Sequence, residues 1–316
     1  MFHFSKQIST ARQNAFTLVE LLVVIAIIGI LASLAAVGVM KVLERSKMVA
    51  LRLELGQLEA AVSAAKLDLG NVDELPSRIY LVNNIVDFSS QLQLTGETPG
   101  ITGTWELRKK TWLTIQKVFG RNVGKHPTTG GYYYYPNPMN TSTTLPVIIS
   151  WPATEKKTIE GMEAYMFWIG GKRANGSFSG FSTDKRDPCE TTALKRKGPY
   201  FDFDAVRVRD GNNHLTYVNS WDGEYAYFSN SFYNYYIKIP PVTMPPTPLS
   251  PKTGGDLYPY KNGNVFFNAK TFQLISSGQD QLFGSGDVYT PPFLIGDSGY
   301  DDLANFSSTQ LGKKDE

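Results

Sequence analysis

Cysteine is nearly absent from this chain: Cys189 is the only one in 316 residues. One thiol excludes an internal disulfide and an all-cysteine zinc site. Histidine is almost as scarce, with only His3, His126 and His214. No His-Glu-x-x-His zinc motif, no G-x-S-x-G elbow, no phosphate-loop lysine and no G-x-G-x-x-G occurs. Gly170-Gly171-Lys172 lacks the upstream glycine of a phosphate loop, and Cys189 follows Pro188 without a catalytic context. The sequence therefore reads as a non-enzyme. An excess of one charge is missing too. The formal net charge is +2, which gives no broad basic field and no support for nucleic-acid binding. With 19% charged and 13% aromatic residues the chain is not disordered by composition. A mean hydropathy of −0.22 excludes a polytopic membrane protein but leaves room for a single span.

That span is present at residues 16–39, FTLVELLVVIAIIGILASLAAVGV. Its only charge is Glu20. About 20 apolar residues suffice to cross the hydrocarbon core as a helix. The preceding 15 residues hold Lys6 and Arg12 and no acid, so they stay cytoplasmic by the positive-inside rule. These two residues account for the whole net charge of the chain. A secretory signal peptide would have a shorter apolar core and a small-x-small site before a polar mature start. Neither is seen here; a plain signal anchor is the alternative.

A carboxylate within a span costs roughly 2.5–3.5 kcal/mol on insertion scales and calls for a partner. Ala15-Phe16-Thr17-Leu18-Val19-Glu20 resembles the processing motif of type IV prepilins and of type II secretion pseudopilins. The likeness continues through Leu21 to Ala32. It implies that a prepilin peptidase cuts between Ala15 and Phe16 and that the new amine of Phe16 is methylated. It also implies that Glu20 of one subunit pairs with the amine of a neighbour during assembly. Pairing relieves a buried charge and so sets the register between subunits. Two positions depart from the family pattern. Ala15 stands where glycine is usual, and Val37 lies near the usual site of a helix-kinking proline.

Past the span, Met48, Leu51, Leu55, Leu58, Val62, Ala65 and Leu69 recur at three- and four-residue spacing. This is the apolar face of an amphipathic helix, with Glu44, Arg45, Lys47, Arg52, Glu54 and Glu59 among the residues on its other sides. Gly70 suits a C-terminal cap, and Pro76 blocks continuation. A continuous helix over residues 16–69 would be about 80 Å long. The division expected is a leader at 1–15, a transmembrane and filament-core helix at 16–39, an amphipathic helix at 40–70 and a globular α+β head at 71–316. The fold class is α+β: a long N-terminal helix packed on a small antiparallel β-sheet, the lollipop of the pilin family.

Within the head, residues 104–119 place Trp105, Trp112, Ile115 and Phe119 on one face of a short helix. Short strands are expected at 145–150, 224–228, 233–239, 264–267 and 271–276. Segment 164–169 reads as strand or helix. Gly211-Asn212-Asn213 and Asp222-Gly223 mark tight turns. The run Tyr132–Tyr135 reads as a strand end, or as a ligand-stacking surface. The proline-rich stretch 240–251 reads as an extended loop.

Trp221-Asp222-Gly223-Glu224-Tyr225-Ala226-Tyr227 is similar to the start of a strand in major pseudopilins. Residues 272–278, Asp280 and the stretch Asp301 to Phe306 are similar to the end of that family, where a loop binds calcium. The resemblance implies a calcium site on Asp280, Asp287, Asp301 and Asp302, with carbonyls near Ser276 to Gly278. Calcium takes six to eight oxygen ligands of these kinds; the other reading of these aspartates is turn and cap formation. Gln281 departs from the resembled loop, where glycine is usual. The resemblance as a whole implies a structural subunit of a periplasmic pseudopilus, held in the inner membrane by a single pass with its head in the periplasm. Implied partners are like subunits, other pseudopilins, membrane lipid, an inner-membrane platform and a secretion ATPase. A type IV pilin for adhesion, motility or DNA uptake is the alternative, and a membrane-anchored ligand-binding domain is a third reading.

Overall fold

The computed structural model describes residues 17–80, 104–119, 158–171, 173–174, 177–183, 194–211, 214–239, 255–284 and 286–313. The expected strand at 145–150, the tyrosine run 132–135 and the whole proline-rich stretch 240–251 lie outside them, as do Ala15, Phe16 and Cys189. The chain divides into two compact units, one ending at Ala50 and one from Leu51 onward.

Helix α1 spans Leu18–Asp68 and continues through position 37 without interruption. In the first unit its apolar side chains face outward all round, with Leu18 78%, Ile25 60% and Leu34 68% exposed. A helix apolar on every side needs an apolar surrounding. It contains a stretch long and apolar enough to cross a membrane.

In the second unit α1 follows the periodic stripe. Leu51, Leu55, Leu58, Val62, Ala65 and Leu69 are buried, while Met48, in the first unit, is half-buried. Each such leucine stabilises the fold by roughly 1.5–3 kcal/mol when fully buried. Gly70 (φ 110°) and Asn71 (φ 52°) then turn left-handed, and the amide of Val72 donates back to the Lys66 carbonyl at 3.0 Å. This left-handed close is the stop that Gly70 announces.

Helix α2 covers Thr104–Phe119 and buries Trp112, Ile115 and Phe119 of the expected face, while the side chain of Trp105 lies outside the description. Helix α3, Met162–Gly170, settles the ambiguous segment in favour of helix. All nine of its residues are buried, which explains why no polar face marked its period. The Tyr165 hydroxyl donates to the Leu58 carbonyl at 2.7 Å, and the Trp168 indole donates to the Pro76 carbonyl at 2.9 Å. Aromatic side chains thus join α3 to α1 and to the turn after it, each with its polar end satisfied.

The strands form several small sheets. β1 (Arg78–Tyr80) pairs with β2 (Thr158–Glu160), β3 (Arg173–Ala174) with β4 (Ser177–Phe178), and β5 (Phe181–Ser182) with β6 (Arg196–Lys197), all antiparallel. β7 (Val208–Gly211) and β8 (His214–Tyr217) pair antiparallel, and Asn212 and Asn213 of the expected turn between them lie outside the described residues. β9 (Tyr225–Ser229) matches the expected strand, but β10 (Ile237–Ile239) is shorter than the expected 233–239. A 3-10 turn at Asn230–Phe232 precedes it, and the amide of Tyr235 bonds back to the Phe232 carbonyl. β10 pairs with β11 (Gly255–Leu257), and β12 (Tyr260–Asn262) pairs antiparallel with β13 (Val265–Phe266). β14 (Phe272–Ser276) is central in its sheet, between β9 and β16 (Leu303–Ala304). The contact of β12 with β15 (Asp287–Val288) is parallel.

β9 and β14 run antiparallel over five residues, from Tyr225 opposite Ser276 to Ser229 opposite Phe272, and every residue of both is buried. Ala226, Phe228, Ile237, Tyr260, Ile275 and Tyr289 share one apolar core with Ala304 and Leu311. Replacing Trp168 by alanine should cost about 3–5 kcal/mol, because it empties a fully buried site and orphans the Pro76 carbonyl. Urea unfolding of the variant against the parent measures this.

Candidate functional site

Three carboxylate centres stand out. The first opens α1. The amide and hydroxyl of Thr17 donate to Glu20 Oε2 at 2.9 and 2.8 Å, and the Glu20 amide donates to Thr17 Oγ1 at 3.2 Å. This reciprocal pair is a capping box, which satisfies donors at the helix start and places an acid in the first turn. Its signal, T-x-x-E, stands in the sequence at Thr17-Leu18-Val19-Glu20, within the same residues as the processing motif. Both bonds use Oε2, and among the described residues Oε1 accepts none. One oxygen is therefore engaged within its own helix, while the other can take a cation.

The second centre ties α1 to the strands of the head. Arg207 donates from Nη1 to Glu54 Oε1 and from Nη2 to Glu54 Oε2, both at 2.7 Å. Tyr217 adds a bond to Oε1 at 3.1 Å and Tyr225 one to Oε2 at 2.5 Å. Arg207 Nε donates to the Val218 carbonyl at 2.8 Å, and its guanidinium lies 4.5 Å from the centre of the Tyr217 ring. The fork geometry of arginine suits such two-point recognition of a carboxylate. Burial, then the nearby Glu54 carboxylate, pushes the Tyr217 and Tyr225 hydroxyls up, so both stay protonated donors. Burial alone pulls Arg207 down, but its bonds to Glu54 outweigh this and hold it charged. The sequence marked Glu54 only as part of a solvated face. Its partner lies 153 residues away, and no local pattern links the two.

The third centre holds the C-terminal aspartates. Asp301 Oδ2 accepts the amide of Asp280 at 2.9 Å and also that of Gln279. Asp280 Oδ1 accepts the Leu282 amide at 2.7 Å. Asp302 is fully buried, and its Oδ2 accepts the Gly284 amide at 3.0 Å and the Tyr260 hydroxyl at 3.2 Å. Its Oδ1 has no hydrogen-bond partner among the described residues. Burial first, with Asp301 and Asp280 adding to it, pushes this carboxyl well above the usual range, although the Gly284 amide and Tyr260 pull it down. Asp287 takes a different partner, with Oδ1 2.5 Å from Lys261 Nζ. No group of three or more His, Cys, Asp or Glu side chains among the described residues is arranged to hold a metal ion.

Beside this centre, Asn219 Nδ2 donates to Ser276 Oγ at 3.0 Å and to the Gly278 carbonyl at 3.1 Å. Its Oδ1 accepts the amides of Trp221 and Gly223 at 2.7 and 3.0 Å. The turn before β9 is therefore fastened to the end of β14. At Gly278 (φ 62°) a Cβ would fall 2.5 Å from Asp301 Cγ, so only glycine fits.

A capped apolar helix with an acid in its first turn thus leads into a small α+β head. Residues 10–36 match the model of the prokaryotic N-terminal methylation motif. The chain is 32% identical over 117 residues to a type IV major fimbrial protein FimA of Dichelobacter nodosus, covering 35% of this chain and 73% of that one. It is 41% identical over 117 residues to another FimA of the same organism, covering 35% and 74%. No solved structure matches it significantly. The chain belongs to the type IV pilin family.

Removing one member of the Glu54–Arg207 pair leaves the other charge poorly compensated, at a cost of 3–5 kcal/mol for a fully buried pair. The two side chains are partly solvated, 12% and 23% exposed. Arg207→Ala should therefore destabilise the head by about 2–3 kcal/mol, discounted from that range. Tyr225→Phe should cost about 1–2 kcal/mol for the hydrogen bond to a charged group. Denaturant titration of the two variants checks both the size and the order.

Proposed function

We propose that this protein is a structural subunit of a type II secretion-type pseudopilus. A prepilin peptidase cuts it before Phe16 and methylates the new amine. Like subunits then assemble, with other pseudopilins, into a periplasmic filament that drives export. The observation that carries filament assembly is Glu20, an acid in the first turn of an all-round apolar helix. In a membrane or filament core this acid needs a cation, and the processed amine of a neighbour supplies one. In this reading the subunit waits in the inner membrane as a single-pass protein with a periplasmic head. A platform protein and a secretion ATPase extract it, and the work is mechanical rather than catalytic. The chain's relatives are fimbrial proteins, which fits a non-enzyme.

The secretion branch is favoured by the C-terminal centre. The pseudopilin-like stretches around Trp221–Tyr227 and Phe272–Gly278 are neighbours in one sheet, closed by Asp301 and Asp302. The unpartnered buried oxygen of Asp302, beside two further aspartates, fits a cation. Calcium accepts carbonyl as well as carboxylate ligands, so fewer than three acids suffice. Asp302 and Asp301 would hold it together with main-chain carbonyls, with Asp280 adding negative charge nearby; the ion would offset that charge and stabilise the C-terminal turns. The second reading, a type IV pilus subunit, is favoured by the two fimbrial relatives.

Co-expression with a prepilin peptidase should remove the first 15 residues, and an intact Met1 by mass spectrometry would contradict the reading. Glu20→Ala should still be cut yet lose most filament yield, scored by shearing and immunoblot. Calcium should raise the melting temperature of the parent, since an ion bound only to the native state stabilises it. Asp302→Asn should blunt that rise, and an equal rise in both would count against the site.

A further inference from the structure

We infer that a groove between α1 and residues 200–207 is the seat for the basic segment around Lys41 and Arg45 of a second copy of this chain. The inference rests on the filament reading above and assigns one of its subunit contacts. The groove is open, with a volume of about 610 Å³. Gln57, Ala60 and Ala64 of α1 form one wall, and Tyr200, Asp202 and Asp204 lie on the other. Ala60 and Ala64, one turn apart and exposed, leave room for long side chains from outside.

The charge of the groove decides what it takes. Glu54 and Arg207 also line it, but they neutralise each other through their two-point pair. Asp202 and Asp204 remain, both exposed. Asp204 Oδ1 accepts only the Val206 amide, at 2.9 Å, and neither aspartate forms an ion pair among the described residues. The Tyr200 hydroxyl is engaged with Asp68 Oδ2 at 2.7 Å, which fixes its ring at the groove. A net negative groove with an aromatic wall suits a cationic side chain with an apolar stem. It repels anionic lipid headgroups and nucleic acid.

The chain carries the complementary feature itself. Lys41 and Arg45 are four residues apart on α1, so they point from one face. Both are exposed, and neither forms an ion pair among the described residues. Like subunits side by side supply one such basic segment for every groove, at equal stoichiometry. The contact is heterologous, since the groove and the basic segment are different surfaces. A heterologous contact that does not close on itself propagates as a helical filament.

The test uses the full-length chain in cells that carry its assembly machinery, with Cys189→Ser removing the native thiol. Asp202→Cys and Arg45→Cys in the same chain should give a ladder of disulfide-linked multimers in sheared filaments, and neither alone should. Asp202→Lys with Asp204→Lys should lower filament yield at least tenfold. Adding Lys41→Asp and Arg45→Asp should restore most of it. No ladder from the cysteine pair, or an unchanged yield after charge reversal, overturns the inference. Failure of the filament reading looks different: the unmodified chain then makes no filaments, and the groove assignment falls with it.

Discussion

The fastening of Glu54 to Arg207 is the constraint on which the head depends. α1 offers the strands an apolar stripe, but a stripe alone permits sliding by a turn. A carboxylate gripped at two points by a guanidinium, and by two tyrosine hydroxyls, does not. The clamp specifies which turn of α1 meets β8 and β9, because Tyr217 and Tyr225 end and begin those strands. It also brings Arg207 into line with the backbone at Val218. The buried leucines supply most of the energy, and the pair sets the register.

The chain handles three carboxylates in three ways. Glu20 is half-satisfied by its own helix cap and has one oxygen to offer. Glu54 is fully satisfied within the head. Asp302 is satisfied on one oxygen and unpartnered on the other, under repulsion from its neighbours. A fully paired acid is structural, whereas an acid with a spare oxygen calls for a further partner. Glu20 and Asp302 are accordingly the residues through which assembly and ion binding are proposed.

Much of the architecture was legible in order of locality. α1 and its stop at Gly70 follow from period and cap, and α2 from its aromatic spacing. β9 and β14 follow from short apolar runs bounded by turns. Segment 164–169 was not decidable, because a helix buried on all sides has no amphipathic period. The tyrosine-rich stretch 233–239 misled for a related reason: tyrosine favours strands, but Tyr233 and Tyr235 are buried from a turn, and only the last three residues pair. Grouping Asp287 with the other aspartates followed their nearness in sequence, while in the fold it answers Lys261 on β12.

The sequence by itself determined the apolar span, its single acid and the long helix that carries both. Those features are written at spacings of three to five residues, and the backbone hydrogen bonds that realise them are local. Only the tertiary structure decided which acid of α1 is clamped, which aspartates come together, and that a negative groove opens beside the helix. Those outcomes depend on side chains about twenty to more than 150 residues apart meeting across packed interfaces, where no periodic pattern records the partner.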